Sequence, residues 1–322
     1  MEYDLPFEKP LAQLHERITR LKRKEVQLKP KEREQLRQSE QKLKLRTQEI
    51  YSKLDAWQTV QVARHRDRPH AVDYLKLICD DFFELHGDRT YGDNPTIVGG
   101  PAMFDGMKVV FVCQEKGRDL QDQRRRNAGQ PHPEGYRKAH RLMKQAEKFN
   151  VPVICLVDTP GASIALGDEE RGQSTAIAEN LYLMARLRVP IIAAIIGEGG
   201  SGGALGLAVA DRVIMQEYTY YTVASPESAA VIRWREVKYA SEAAETMQVS
   251  AKQLQAHKQF IDEVVSEPLG GAHRDYQVAA DLLKAALVRH LHDLQTRAPD
   301  ELVEQRYQKF RVMGHVGQAS MA

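Results

Sequence analysis

The segment Gly197-Glu198-Gly199-Gly200-Ser201-Gly202-Gly203 holds five glycines in seven residues, directly after an apolar run that ends at Ile196. Glycine has no Cβ, so a ligand can approach the main chain closely. A helix opening behind the run, expected over Ala204 to Ala210, would add unpaired N–H groups and the positive end of its dipole. Together these suit a negative oxygen, including one whose charge develops during a reaction. The plain alternative is a tight turn with close helix packing. The density of glycine favours the functional reading on steric grounds.

Other candidates carry less. Gly197, Gly199 and Gly202 match G-x-G-x-x-G, but the unit comes late in the chain and no acid stands about 20 residues on at the end of a next strand, Glu217 being the nearest. Asp158-Thr159-Pro160-Gly161 resembles a GTPase switch, yet no Gly-Lys pair exists anywhere to form a P-loop. It reads instead as a sharp turn, with φ fixed at Pro160. Ser201 and Ser225 could each suggest a nucleophile, but a triad needs a positioned His and acid, and the histidines are scattered with no pairing or metal-ligand spacing. Hydrolase and metalloenzyme readings are therefore disfavoured. Arg124-Arg125-Arg126 and Tyr136-Arg137-Lys138 form a basic cluster; Arg137 and Lys138 are candidate anion contacts, with a solvated face as the alternative.

These residues must be held by elements that the pattern also suggests. Leu11, Leu14, Ile18 and Leu21 recur at helical spacing, Pro30 interrupts, and Leu36, Leu43, Ile50 and Trp57 then fall seven apart, with Leu54 beside them. This predicts an antiparallel helical hairpin that packs on the body of this chain or on another subunit. From about Asp73, β-branched runs alternate with helical stretches. Strands are expected at Val109–Cys113, Val153–Val157 and Ile191–Ile196, and helices at 133–150 and 169–187, giving an α/β class. Val151-Pro152 and Val189-Pro190 each open a unit of strand, glycine turn and helix, 38 residues apart. The two copies suggest stacked turns of one supersecondary unit, with both glycine turns on one edge, where ligands gather. An Ala/Leu-rich helix follows Gln277, and a polar, loose tail is expected after Glu304. The expected divisions are 1–70 helical, 71–294 body and 295–322 tail.

Composition bounds the class. The chain has 322 residues, a formal charge of +2 and 28% charged residues, ordinary for a soluble protein. No run approaches the roughly 18 apolar residues of a membrane span, and residues 1–10 lack a secretory h-region, which points to the cytoplasm. Cys79, Cys113 and Cys155 lie far apart in apolar stretches and read as buried thiols; no CxxC pair is present for a zinc ribbon. Residues 16–47 carry 12 Lys/Arg against five acids. The interspersed acids and the lack of aromatics favour a solvated helix face over nucleic-acid binding.

Taken together, "FEKPLAQL", "ARHRDRPHAVDYL", "RRRNAGQPHPEGYRKAHRLMKQAEKF", "DTPGA", "EERGQS", "IIGEGGSGGAL", "SPE" and "SEPLGGAH" resemble the alpha subunit of bacterial acetyl-CoA carboxylase carboxyltransferase, from about Phe7 to Leu294. The resemblance implies a crotonase-like fold, a superhelix of ββα units. It implies a beta subunit that bears the zinc ribbon and most of the CoA site, an alpha2beta2 assembly, and work alongside a biotin carboxyl carrier protein and biotin carboxylase. No cofactor would be bound covalently here; carboxybiotin on the carrier would give its carboxyl group to acetyl-CoA, forming malonyl-CoA for fatty acid synthesis. The N–H groups of Gly202 and Gly203 would stabilise the biotin oxyanion, and the freed biotin would take the methyl proton. Gly199, Gly200 and Ser201 would shape the pocket, with Gly161 and Ala162 on its facing edge.

Three departures from that family stand out: Ser163-Ile164-Ala165 where it has Tyr-Pro-Gly, Asn127-Ala128-Gly129-Gln130 where it has Asn-Phe-Gly-Met, and Ser228 where it has Gly. The readings open at this point are an ordinary alpha subunit, a specialised paralogue with altered acyl-CoA, inhibitor response or partner, and a non-catalytic assembly subunit. The intact Gly202–Gly203 pair disfavours the last, and the departures strengthen the second.

Overall fold

A computed structural model describes residues 3–23, 29–257 and 260–314. Four helices come first: α1 (Lys9–Lys22), α2 (Pro30–Tyr51), α3 (Ala56–Ala63) and α4 (Ala71–Ile78). The body continues with β1 (Ile97–Phe104), β2 (Met107–Gln114), α5 (Leu120–Arg125), α6 (Pro133–Lys148), β3 (Val153–Thr159), α7 (Leu166–Glu170), α8 (Gln173–Arg186) and β4 (Ile191–Gly200). Then come α9 (Ser201–Leu205), β5 (Arg212–Gln216), β6 (Tyr220–Thr222), α10 (Pro226–Trp234), α11 (Ala240–Met247), α12 (Ala251–Ala256) and β7 (Glu263–Val265). Two helices close the described chain, α13 (Tyr276–Gln295) and α14 (Pro299–Arg311).

Val-Ile-Cys-Leu-Val and Ile-Ile-Ala-Ala-Ile show no polar alternation, so both strands must be covered on two faces. They are. Ile154, Leu156, Ile192 and Ala194 face Leu283, Leu287 and Leu291 of α13, with Tyr74 and Leu75 of α4. Val153, Cys155, Ile191 and Ala193 face Leu142 and Met143 of α6, with Met184 of α8. The sheet runs β1-β2-β3-β4-β5-β7, with β1–β2 antiparallel and the rest parallel. β4 is long enough to pair β5 along Ile192–Ile195 and β6 along Glu198–Gly200. The sequence echo is realised as a register: Val153 lies opposite Ile191 and Val157 opposite Ile195, the same 38-residue offset.

The hairpin expected at the N-terminus is present. Ile18 of α1 packs on Leu36 of α2, and Lys22 pairs with Glu40 at 2.7 Å. It sits on this chain's own body: Leu11 and Tyr51 cluster with Tyr218, and buried Glu8 accepts from Tyr51 Oη at 2.7 Å and Arg274 Nη2 at 2.5 Å. The stripe does not continue to Trp57. α2 stops at Tyr51, and Asp55 starts α3 by accepting from Gln58 N at 2.7 Å while Gln58 returns a bond at 3.0 Å, a capping box. Trp57 packs instead with Val60, Tyr220 and Val249.

Two further expectations change. The helix expected over 169–187 is divided at Gly172, whose φ is 78°. The polar stretch after Glu304 is ordered within α14, since Arg306 is 1% exposed and reaches Asp211 from Nε and Nη2 at 2.9 Å each; residues 315–322 of that tail lie outside the described residues. Cys113 and Cys155 are buried and Cys79 is half-buried; burial pushes the Cys155 thiol up to about 12 and the Cys79 thiol up to about 11. Among the described residues, no helix is long and apolar enough to cross a membrane.

Candidate active site

The glycine turn starts inside β4. Opposite β3, the register slips: Val157 faces Ile195, but Thr159 faces Gly199, so β4 bulges by two residues. Asp158 fills the bulge. Its Oδ1 accepts from Glu198 N at 2.8 Å, and a Cβ on Gly197 would sit 2.7 Å from its Cγ. This explains both the aspartate of the D-T-P-G turn and the first glycine of the run. The two turns are pressed together at the strand ends. A Cβ on Gly200 would lie 2.8 Å from Gly161 N, and one on Gly203 would lie 2.5 Å from Gly161 C and closer still to Ala162 N. Gly161 and Ala162 therefore pack directly against the glycine turn.

The helix behind the run is shorter and earlier than expected. α9 spans Ser201–Leu205 rather than Ala204–Ala210. Ser201 holds φ 52°, the left-handed conformation that turns the strand into the helix. Leu207 N bonds Ala204 O at 3.0 Å, an i−3 bond that tightens and ends the helix. The Gly203 carbonyl is taken by side chains, Gln114 Nε2 at 2.8 Å and Tyr136 Oη at 3.0 Å. As residues of the first turn, Gly202 and Gly203 have no intrahelical acceptor for their N–H groups. Gly202 has nothing within 4 Å of where a Cβ would stand. Beside it opens a cavity of about 360 Å³ lined by Ser201, Gly202, Leu205, Tyr221, Phe260 and Phe310 among others. The arrangement pairs main-chain donors with apolar walls, which suits an oxygen on an otherwise apolar ring or chain.

A charged assembly braces the turn from beneath. Glu198, 7% exposed, accepts from Arg64 Nε at 2.7 Å, Lys116 Nζ at 2.6 Å and Tyr220 Oη. Lys116 also meets Asp158 at 2.6 Å. Arg64 reaches on to Glu227 of the Ser-Pro-Glu turn. Burial alone would raise the Glu198 carboxyl; Lys116 and Arg64 outweigh it and hold the pKa at about 2. Nearby, Arg68 donates to Ile196 O at 2.7 Å and to Glu267 at 2.6 Å. Sequence reasoning missed Arg64, Lys116, Asp158 and Glu227 as partners, because they come from positions up to 163 residues apart. The available signal was the recurrence of charged residues inside short motifs that also contain turn residues.

Arg137 and Lys138 both have partners within the chain. Arg137 Nε binds Asp88 at 2.7 Å and its Nη1 binds Arg171 O at 3.0 Å. Lys138, 0% exposed, binds Asp93 at 2.6 Å and Asn94 O at 2.8 Å. Arg137 also donates from Nη2 to Glu134 at 3.1 Å, so both cations are held by acceptors of this chain. In the Arg124–Arg126 run, Arg125 and Arg126 pair with Asp122. Ser225 caps α10 by accepting from Ser228 N at 3.1 Å. Of the departures, Ser163 is buried and bonds Asp168 through Oγ. Ile164 is 95% exposed, and Ala128 takes a left-handed φ of 50°. Among the described residues, no three His, Cys, Asp or Glu gather as a metal-binding group.

The family described as acetyl co-enzyme A carboxylase carboxyltransferase-like matches residues 4–314. The chain is 51% identical over 311 residues to the acetyl-coenzyme A carboxylase carboxyl transferase subunit alpha of Azoarcus sp. (strain BH72), covering 97% of this chain and 96% of that one. It is 50% identical over 315 residues to the subunit of the same name from Geobacter metallireducens, covering 97% and 98%. Among solved structures, transcarboxylase 12S with methylmalonyl-coenzyme A and methylmalonic acid bound is similar at a TM-score of 0.58 and 18% identity, over 72% of this chain and 43% of that chain. A Pseudomonas malonate decarboxylase hetero-tetramer in complex with coenzyme A is similar at 0.56 and 18%, over 69% and 90%. These structural likenesses show the fold, the crotonase-like α/β class that the motifs implied.

Proposed function

The chain belongs to the acetyl-CoA carboxylase carboxyltransferase alpha-subunit family, and on that premise we propose that it transfers a carboxyl group from carrier-borne carboxybiotin to acetyl-CoA, giving malonyl-CoA for fatty acid synthesis. In this transfer a nitrogen–carboxyl bond breaks, a bond forms from the carboxyl carbon to the acetyl methyl carbon, and a methyl proton leaves. Carboxybiotin supplies the carboxyl group and, having given it up, the basic site for that proton. The residues of this chain bind and orient. Gly202 and Gly203 donate their N–H groups to the oxygen that gains charge as the carboxyl departs, with Gly161 and Ala162 fixing the opposite edge. Glu198, Lys116, Arg64 and Asp158 neutralise one another and hold the turn; none is needed as a base.

One observation carries this reading. Of the two adjacent glycines, Gly203 is packed tightly against backbone while Gly202 faces open space, so the turn is rigid on one side and accessible on the other. Such preorganised donors cost no rearrangement as charge develops, and loss of one is worth on the order of 10²–10³ in turnover.

The partners belong to the same proposal: a beta subunit completing the site, an alpha2beta2 assembly, a biotin carboxyl carrier protein and biotin carboxylase. Reconstitution tests it. This chain, its beta subunit, acetyl-CoA and carboxylated carrier should together form malonyl-CoA, and this chain alone should not. A folded complex that forms no malonyl-CoA but carboxylates a longer acyl-CoA would favour the specialised paralogue instead.

A further inference from the structure

Two successive glycines have no side chains to restrict φ and ψ, and within the short helix the peptide that carries the Gly203 N–H is held by Gly206 N donating to Gly202 O at 3.0 Å. A further restraint comes from the core. Gln114 and Tyr136, both 0% exposed, donate to the same Gly203 carbonyl at 2.8 and 3.0 Å. In a continuing α-helix this carbonyl would take the Leu207 N–H; that N–H goes to Ala204 O. Gln114 is itself fixed at its other end, since its Oε1 accepts from Asp158 N at 3.2 Å. Only one orientation of its amide serves both bonds. The Tyr136 ring is seated under the turn, where a Cβ on Gly206 would come within 3.0 Å of its Cε1.

We propose that Gln114 and Tyr136 are positioning residues for carboxyl transfer, setting the direction of the Gly202 and Gly203 N–H groups through the Gly203 carbonyl. This rests on reading those N–H groups as the donors. Two donors share one carbonyl, so removing either leaves it partnered and the fold intact, while the turn loses a fixed point. Main-chain donors weaken as they swing off line, and small misplacements of a catalytic group cost turnover steeply.

The test uses the reconstituted complex with the beta subunit, acetyl-CoA and carboxylated carrier, at matched concentration of assembled enzyme. Tyr136→Phe should lower kcat about tenfold while KM for acetyl-CoA stays within about twofold. Gln114→Met should act in the same direction, and the double variant should fall further than either. A purely structural role would lower the yield of complex and leave kcat per assembled enzyme unchanged, and that result overturns the proposal. Should Tyr136→Phe fail to assemble, Gln114→Met decides by the same criterion. Gly202→Val separates this idea from the one beneath it. Loss of turnover there with full kcat in Tyr136→Phe and Gln114→Met sinks the positioning role alone; full turnover in Gly202→Val sinks the donor assignment.

Discussion

Arg64 and Glu198 are 134 residues apart in the chain and meet with 2.7 Å between Nε and Oε2. The same guanidinium reaches Glu227 and, from Nη2, Tyr220 Oη at 2.9 Å. One planar side chain thus joins α3, the glycine turn and α10. Lysine cannot replace it, because an ammonium is a single point of charge. Arg64→Lys should lower kcat and leave Glu227 unpartnered. A double-mutant cycle of Arg64→Gln with Glu227→Gln, read by chemical denaturation, should give a coupling of about 1 kcal/mol; additivity would show that the pair is independent.

Gly202 and Gly203 should separate under the same substitution. Gly203→Ala drives a methyl into the backbone of Gly161 and Ala162 and should destabilise the chain by about 1–3 kcal/mol, the range for overpacking. Gly202→Ala places its methyl in open space, so the melting temperature should hold while turnover falls. Equal losses of melting temperature in the two variants would contradict the packing described for the turn.

The acid limb of stability should carry the mark of Glu198. Its carboxyl is depressed from 4.5 to about 2, so the ionised form is favoured by folding. That contribution is fully present above pH 4.5 and is lost as pH falls toward 2. Glu198→Gln should therefore lie furthest below the parent above pH 4.5 and converge with it near pH 2. A constant gap across that window in pH-dependent denaturation would show that the carboxyl is not depressed.

The end of the chain should matter to stability. Arg306→Met leaves Asp211 buried without its charge partner, which typically costs about 3–5 kcal/mol, and removes donors to Met184 O and Leu187 O at 2.6 and 2.8 Å. Thermal unfolding of the variant measures this directly. An unchanged midpoint would mean that α14 does not dock through Arg306.

What the sequence made legible follows the range of the interactions. The strands around Val153–Val157 and Ile191–Ile196 are apolar without alternation, and such a pattern has few solutions. The 38-residue echo carried the register itself. The glycine turn was visible because five glycines in seven residues have few other uses. By contrast, Arg137 and Lys138 read as ligands for an anion because residue type does not tell whether a cation faces water or Asp88 and Asp93. The helix expected over Ala204–Ala210 was displaced because Gln114 and Tyr136 take a carbonyl that local propensity assigns to the helix. Trp57 fell on a heptad stripe by spacing alone, while the cap at Asp55 began a new helix. The tail after Glu304 looked loose because Arg306 and Lys309, which pair with Asp211 and Asp262, are charged.

The 38-residue register has a consequence for the order in which the molecule assembles. β3, α8 and β4 pair over short stretches of chain and can form early, since nearby segments meet with little loss of chain entropy. The bonds of Arg64 and Arg68 to Glu198 and Glu267 span 134 and 199 residues and must wait for the body to exist. Amide protection in native-state hydrogen exchange should accordingly be deepest at Ile154–Leu156 and Ile192–Ala194, and shallower at α3 and the glycine turn. The apparatus for chemistry would then be the last part of the chain to be completed and the first to be released.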